Sequence, residues 1–331
     1  MKPGYQYAKS NKDKVLISTS TGLADLSHDV ELTNHHIMPV FSMTKTITAI
    51  AILQLLEDGQ LKLDDSINYW LNTPYPDEVT IKHLITHTSG IANPIPLKWV
   101  YLPENSALFD ENNALNKLMN ENNKLKFPPG SKYKYSNLGY WLAGKVIEKV
   151  SKKSYQAYIE ENIFTPLKLR NDQVGFTINE SKLAKGYLSR LSAMGIIAPF
   201  LLDRDLLTNI DWSWAKVRAI YVFGPAYGGI YSTAEGMLTI LQDLLKDESI
   251  LLNNKSKTLL FSKQKNSKGQ ALEMTFGWHI ATNKDRQYLF KEGGGAGYHS
   301  EMRIYLKEKL ASVIIANSTS YDVSGMLNQL D

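Results

Sequence analysis

The alternation of apolar and polar positions predicts where strands and helices lie. Tyr5-Gln6-Tyr7-Ala8 and Val15-Leu16-Ile17-Ser18 flank a polar run, Ser10-Asn11-Lys12-Asp13-Lys14, which is the pattern of a hairpin over residues 5–24. From Thr44 to Leu56 nearly every position is apolar or small, and Glu57-Asp58-Gly59 supplies a stop. A helix that is apolar all round belongs in the middle of a core. Over residues 60–130 short helical patterns alternate with Pro-rich loops such as Thr73-Pro74-Tyr75-Pro76 and Phe127-Pro128-Pro129-Gly130. Further helices are expected at about 138–150, 155–163 and 234–245. Four short β-prone runs follow: Phe276-Gly277-Trp278-His279-Ile280, Gln287-Tyr288-Leu289-Phe290, Met302-Arg303-Ile304-Tyr305 and the apolar Ala311-Ser312-Val313-Ile314-Ile315-Ala316.

Strands at both ends with helices between them predict an α/β (α+β) architecture, one sheet built from both termini with a helical part inserted. The expected organisation is a single domain over 1–331. Its sheet-containing parts lie at about 1–60 and 225–331, and the helical insertion at about 61–224. Residues 190–224 fit this pattern least. Met194, Ile196, Ile197, Phe200, Leu201, Leu202, Trp212 and Trp214 crowd together with few helix caps. They read either as an internal packing segment or as the wall of an apolar pocket.

Length and charge narrow the class. At roughly 150 residues per domain, 331 residues make two units or one large composite domain. The 37 Lys+Arg against 33 Asp+Glu leave a formal charge of only +4, which excludes a polyanion-coating protein and gives no reason to expect nucleic acid as a partner. There are no cysteines, so disulfides, thiolate nucleophiles and Cys-ligated zinc are all removed. The longest apolar run, Ile47 to Leu56, is interrupted by Thr48 and Gln54 and is too short to span a bilayer. Met1-Lys2-Pro3-Gly4-Tyr5 carries no apolar signal-peptide core. The expectation is a soluble globular protein without an integral membrane segment.

Several chemical motifs fail on inspection. His83 and His87 have the i, i+4 spacing of a metal pair, but Leu84 stands where the metalloprotease pattern needs Glu and no third ligand is near, so they read as structural. Gly293-Gly294-Gly295-Ala296-Gly297 is followed by a strand pattern instead of the helix that a dinucleotide loop requires. No metal and no cofactor is expected. Ser-x-x-Lys occurs at Ser42/Lys45, Ser131/Lys134, Ser213/Lys216 and Ser262/Lys265, and only the first stands directly ahead of the apolar helix. There the Ser42 hydroxyl meets the positive end of a buried helix, and Lys45 returns to the same face one turn on. An ammonium at that end is unfavourable unless a partner or a function compensates. The plain alternative is that Ser42 is a helix N-cap. Two further motifs weigh against it: Tyr135-Ser136-Asn137, between a Pro-Pro-Gly turn and a helix, and Lys291-Glu292-Gly293, at the end of a strand.

With these three motifs in this order, the chain resembles the serine β-lactamase and penicillin-binding protein superfamily, closest in style to class C β-lactamases and their esterase and peptidase relatives. Ile81 to Gly90, Gly228 to Ala234, and Gly294 with Gly297-Tyr298 match in type, so the resemblance runs from about residue 4 to 330. It implies a β-lactamase/transpeptidase-like fold, with an antiparallel sheet flanked by helices, and covalent catalysis. Ser42 would be the acylated nucleophile, with Tyr135 favoured as base and Lys45 as co-base. The charges of Lys45 and Lys291 would favour the Tyr135 phenolate, and a lysine beside other cations would more readily be neutral, so either can serve and the pair titrates as a unit. Asn137 would orient Lys45 and the substrate amide. Lys291, Glu292, Gly293 and Gly294 would line the substrate, and the backbone N–H groups of Ser42 and Gly294 would form the oxyanion hole.

Two departures shape the expected function. Glu292 stands where β-lactamases usually carry a hydroxyl that helps hold the substrate carboxylate, and Gly294 where class C enzymes often carry Ser. The expectation is a serine hydrolase that cleaves esters or amides through an acyl-enzyme on Ser42, with β-lactam hydrolysis weak or absent. The alternatives are a D-alanyl-D-alanine carboxypeptidase or D-aminopeptidase acting on peptidoglycan-type peptides, and a catalytically silent binding or scaffold module. The family usually begins with a helix ahead of the first strand, which this chain lacks. Cytoplasmic and periplasmic or secreted placement therefore both stay open, as do monomer and homo-oligomer.

Overall fold

A computed structural model of the chain describes residues 2–94, 99–192, 204–210, 212–295 and 297–331. The main sheet has six strands, which we number β1 (Tyr5–Asn11), β2 (Val15–Thr21), β3 (His279–Asn283), β4 (Arg286–Gly295), β5 (Tyr298–Tyr305) and β6 (Leu310–Ala316). Their spatial order is β3-β4-β5-β6-β1-β2 and every pairing is antiparallel. The two ends of the chain meet where β1 lies against β6, with Tyr5 opposite Ala316 and Asn11 opposite Leu310. The expected antiparallel sheet drawn from both termini is the observed one.

The helices used below are α1 (Thr44–Glu57), α2 (Ile81–Ile85), α3 (Glu111–Glu121), α4 (Asn137–Ser151), α5 (Tyr155–Ile159), α6 (Ala234–Leu245) and α7 (Val323–Leu330). Helix α1 is buried from Thr44 to Leu53, as its uniformly apolar pattern requires. It packs against α4 and α5. Helix α6 covers β6 and β1, while α7 lies against β5 and β6. Because alternate residues of a strand point to opposite faces, Met302 and Ile304 enter the main core beside α1 while Glu301 and Arg303 point toward α7.

Three expectations change on contact with the structure. The strand expected over 276–280 begins only at His279. Gly277 has φ +81°, and a Cβ there would lie 3.2 Å from the Thr46 Cα, so the chain turns tightly against α1 before the strand can start. The helix expected over 155–163 is α-helical only to Ile159 and continues as a π-helical turn, Glu160–Phe164. Trp212 is 75% exposed, so it is neither internal packing nor an enclosing wall. Met194, Ile196, Ile197, Phe200, Leu201 and Leu202 lie outside the described residues.

Candidate active site

The site begins in the short 3₁₀ turn Phe41–Met43 that leads into α1. Phe41 holds φ +42°, a conformation disfavoured for a residue with a Cβ. It is kept there by packing: the ring is 6.3 Å from that of Tyr298 and closely approaches Gly295. A residue in that region costs about 1–3 kcal/mol, and such residues cluster at functional sites. Ser42 is not the cap of α1. The N-cap is Met43, in helical conformation and without a side-chain cap bond. The Ser42 Oγ lies instead 2.6 Å from the Tyr135 Oη and 3.0 Å from the Lys45 Nζ.

Lys45 is wholly buried. Its amine also donates to the Tyr227 carbonyl at 2.7 Å. The same stretch is fastened to α1 by two threonines: Thr48 Oγ1 donates to the Ala226 carbonyl (2.7 Å), and the Ile230 N–H donates to Thr44 Oγ1 (3.3 Å). The polar residues within the otherwise apolar helix therefore form a row that anchors residues 226–230 and aims a carbonyl at Lys45. Among the described residues no hydrogen bond joins Asn137 to Lys45, and the acceptor that the amine meets is the Tyr227 carbonyl.

Tyr135 sits just ahead of α4, whose N-cap is Ser136. That segment is clamped to residues 87–93. The Ser136 N–H donates to His87 Nδ1 (3.1 Å), the Ser136 hydroxyl to the Ala92 carbonyl (3.2 Å), and the Asn137 N–H to Asn93 Oδ1 (2.9 Å). Accepting at Nδ1 fixes the neutral His87 tautomer with hydrogen on Nε2. The imidazole then lies against the phenol of Tyr135, ring centroids 4.4 Å apart. His83 instead receives the Thr80 N–H within the capping box of α2, while His87 stands beyond the end of that helix at φ +54°. The i, i+4 spacing thus places the two histidines on separate tasks. Among the described residues no group of His, Asp and Glu is arranged to hold a metal ion.

The third motif arrives on β4. Lys291 and Gly293 point to the α1 side and Glu292 to the other. Lys291 is 1% exposed, and its Nζ has no hydrogen-bond partner among the described residues. Its ammonium lies 5.1 Å from the centroid of the Tyr135 ring, and that of Lys45 lies 4.8 Å from the same centroid. Gly293 is required by close approach, since a Cβ would stand 2.1 Å from the Val40 carbonyl oxygen. Gly294 is under no such pressure: its Cβ would meet nothing nearer than 3.7 Å. Glu292 accepts from His299 Nε2 at 2.6 Å, and the other nitrogen of that ring faces the Tyr321 carbonyl at 2.7 Å. With an acceptor at each nitrogen the imidazole is held protonated, and its pKa rises chiefly through the bond to Glu292. Glu292 is correspondingly held below the usual range by that bond.

Burial sets the charge states at the centre. It drives the Lys45 pKa well below that of an ordinary lysine, and the neighbouring Lys291 adds to the effect. Burial brings Lys291 down to about 7, with Glu292 pulling weakly the other way. The Tyr135 phenol is pushed up, again by burial, and the hydrogen bond to Ser42 offsets only part of this. The phenolate expected from two nearby positive charges is therefore disfavoured, because desolvating the ring costs more than those cations return. His87 is driven well down by burial and by Lys291 and Lys45, and His279 down to about 3 for the same reasons. A neutral Lys45 completes a consistent network. With Lys45 neutral, its lone pair can accept the Ser42 proton across the 3.0 Å contact while its N–H still donates to the Tyr227 carbonyl, and the Ser42–Tyr135 contact closes the network.

Motif reading did not single out the Tyr227 carbonyl or the plate formed by His87. Both lie in flanking stretches that matched only in type, 81–90 and the approach to 228–234.

The Beta-lactamase family model matches residues 1–329. The chain is 27% identical over 311 residues to penicillin-binding protein 4* of Bacillus subtilis, covering 92% of this chain and 65% of that protein. It is 26% identical over 343 residues to protein flp of Staphylococcus aureus, covering 99% and 62%. The chain thus spans somewhat under two thirds of the length of these curated relatives. Among solved structures, an octameric penicillin-binding protein homologue from Pyrococcus abyssi has a TM-score of 0.81 at 22% identity, covering 99% of this chain and 72% of that one. A penicillin binding protein from Bacillus halodurans gives 0.77 at 25%, covering 98% and 95%. The D-amino acid amidase of Ochrobactrum anthropi gives 0.77 at 19%, covering 99% and 92%. Among the described residues no helix is long and apolar enough to cross a membrane.

Proposed function

The chain belongs to the Beta-lactamase family, and on that premise we propose that Ser42 is the acylated nucleophile of a serine hydrolase acting on esters or amides. The observation that carries this reading is the pair of contacts from the Ser42 Oγ, 2.6 Å to the Tyr135 Oη and 3.0 Å to the Lys45 Nζ. In the first half-reaction Lys45 takes the Ser42 proton while Oγ bonds to the substrate carbonyl carbon. The tetrahedral oxyanion is received by the backbone N–H groups of Ser42 and Gly294, each such donor worth about 3 kcal/mol. The intermediate collapses as the bond to the leaving group breaks, and the proton passes through Tyr135 to that group. Water then reverses the sequence and frees the acid. Lys45 is the stronger candidate for the resting base, because burial favours its neutral form and disfavours the tyrosinate.

Small esters, amides or D-peptides are the substrate classes that fit. β-Lactam turnover should be slow, since Glu292 stands where a carboxylate-holding hydroxyl would be. Removal of a D-amino acid from a peptide is the second reading, favoured by the neighbouring D-amino acid amidase and by Lys291, a buried cation that could meet a carboxylate. Intact-mass spectrometry after exposure to a panel of p-nitrophenyl esters, D-peptides and nitrocefin reads out the adduct directly. An acyl adduct that Ser42→Ala abolishes is expected from the esters. Free D-alanine from a muramyl pentapeptide would promote the second reading. Failure of a fluorophosphonate probe to label Ser42 would leave a silent binding module.

A further inference from the structure

Strand β3 pairs with β4 only as far as His279 opposite Phe290, so from Lys291 to Gly295 the β3-side edge of β4 carries no strand. At that step opens a cavity of about 450 Å³. Its aromatic lining is Tyr133, His279 and Phe290, with Met274 beside them and the carboxylates of Glu273 and Glu292 at its rim. None of Ser42, Lys45, Tyr135 and Lys291 lines it, and it adjoins the catalytic cluster through Tyr133, two residues before Tyr135 with its ring 5.8 Å from that of His87, and through Glu292, which reaches the free edge of β4 on the face opposite Lys291.

We propose that this cavity is the leaving-group subsite and that it selects alcohols, thiols or amines bearing an ammonium group; the assignment rests on the Ser42 acyl-transfer reading. The departing atom collects its proton on the Tyr135 side of Ser42, so its substituents extend past Tyr135 toward Tyr133 and Glu292. The lining contains no lysine or arginine. The cations that pair with its carboxylates, His299 and Lys263, do not line the cavity. Each pairing uses the Oε1 of its carboxylate, which leaves Oε2 of Glu273 and of Glu292 without a partner among the described residues. The Tyr133 hydroxyl is hydrogen-bonded to His279 Nε2 at 2.9 Å, and burial keeps that imidazole uncharged at neutral pH. Aromatic faces closed by a carboxylate are the chemistry that recognises ammonium groups, and a carboxylate-bearing leaving group would face Glu273 and Glu292 with no cation in the lining to offset them.

Three thioesters with one acyl group and different thiols test this: acetylthiocholine, its neutral isostere 3,3-dimethylbutyl thioacetate, and S-acetyl-3-mercaptopropionate. In each, Ser42 Oγ bonds to the acyl carbon, the carbon–sulfur bond breaks, and the thiol leaves with the proton taken from Ser42. For kcat/KM the cation is expected to exceed the isostere by about tenfold, the scale of one desolvated cation–π contact with a carboxylate beside it. The anion should be slowest. Glu292→Gln should bring the cation-to-isostere ratio toward one, Glu273→Gln should lower it part of the way, and Glu292→Lys should turn the preference toward the anion. Equal ratios in the wild-type protein, or a cation preference that survives Glu292→Gln, overturn the subsite. A binding measurement separates this from a failure of the Ser42 reading. Benzyltrimethylammonium should bind the Ser42→Ala protein in calorimetry and phenylacetate should not, whether or not any ester turns over; no binding of the cation overturns the proposal. Thiol release that persists in Ser42→Ala overturns the nucleophile assignment and leaves the subsite to the ratios.

Discussion

Two groups of buried cations lie on opposite faces of the same sheet, and they are treated in opposite ways. On the α7 side Arg303 is 1% exposed and fully partnered. Its Nε donates to Glu301 at 2.5 Å, Nη1 to Asn328 Oδ1 at 2.8 Å and Nη2 to the Ser324 carbonyl at 3.0 Å. Glu301 also accepts from the Ser324 hydroxyl. On the α1 side Lys45 and Lys291 are equally buried, yet neither forms an ion pair among the described residues. A buried charge survives when its partners replace water, as at Arg303. Without such partners a lysine gives up its proton, and beside a serine that is a base. The difference separates a structural ion pair from a catalytic one more sharply than burial does.

The largest break in this comparison comes from replacing each cation with an isosteric thioether. Lys45→Met should lower kcat by about 10⁴-fold, the upper range for loss of a positioned base, and should leave stability unchanged or raised, because no paired charge is lost. Tyr135→Phe belongs to the same test at about 10²-fold or more. Urea unfolding and ester turnover of the two proteins provide the check, and a Lys45→Met protein that keeps its rate would return the base role to Tyr135. Arg303→Met should do the reverse. Leaving Glu301 buried without its partner should cost about 3–5 kcal/mol of stability, with the activity of the folded fraction retained. Loss of activity out of proportion to unfolding would show that the two faces are coupled.

The smallest effect is in the pH profile. Lys45 acts only when neutral, so kcat/KM should rise with pH along an acid limb and level off. Lys291, at about 7 in the folded protein against 10.5 as an ordinary lysine, makes protonation of Lys45 harder whenever it is itself charged. Glu292 raises the Lys291 value, so Glu292→Gln should let Lys291 lose its proton at lower pH, weaken its repulsion of the Lys45 ammonium and move the acid limb to higher pH. Stability follows the same sign. Lys291 binds its proton more weakly when folded, so its penalty is full below about 7 and disappears as pH rises toward 10.5. His279 adds a similar rise between about 3 and 6.5. Movement of the limb to lower pH in Glu292→Gln would contradict the coupling.

Much of this molecule is legible without coordinates, for identifiable reasons. A helix as uniformly apolar as α1 has one place to go, and the apolar run of β6 has the same property. Ser-x-x-Lys gained meaning from standing ahead of that helix. Where the reading slipped, the cause was a long-range contact. Gly277 turns against Thr46 and delays β3, and Trp212 is apolar in composition yet exposed. The helical periodicity that paired His83 with His87 ends at Ile85, one turn too early to hold both on one face.

The sequence by itself determined which groups could carry chemistry and in what order, because side-chain reactivity and helix or strand periodicity are local properties. Only the tertiary structure decided that Ser42 and Tyr135, 93 residues apart, stand within hydrogen-bond distance, and in which direction burial moves each pKa. A pKa in a core is set by the water that every packed neighbour excludes and by charges brought in from distant strands. That quantity belongs to the fold as a whole, which is why the choice between a phenolate and a neutral lysine, open in the motifs, turns on burial, which favours the lysine.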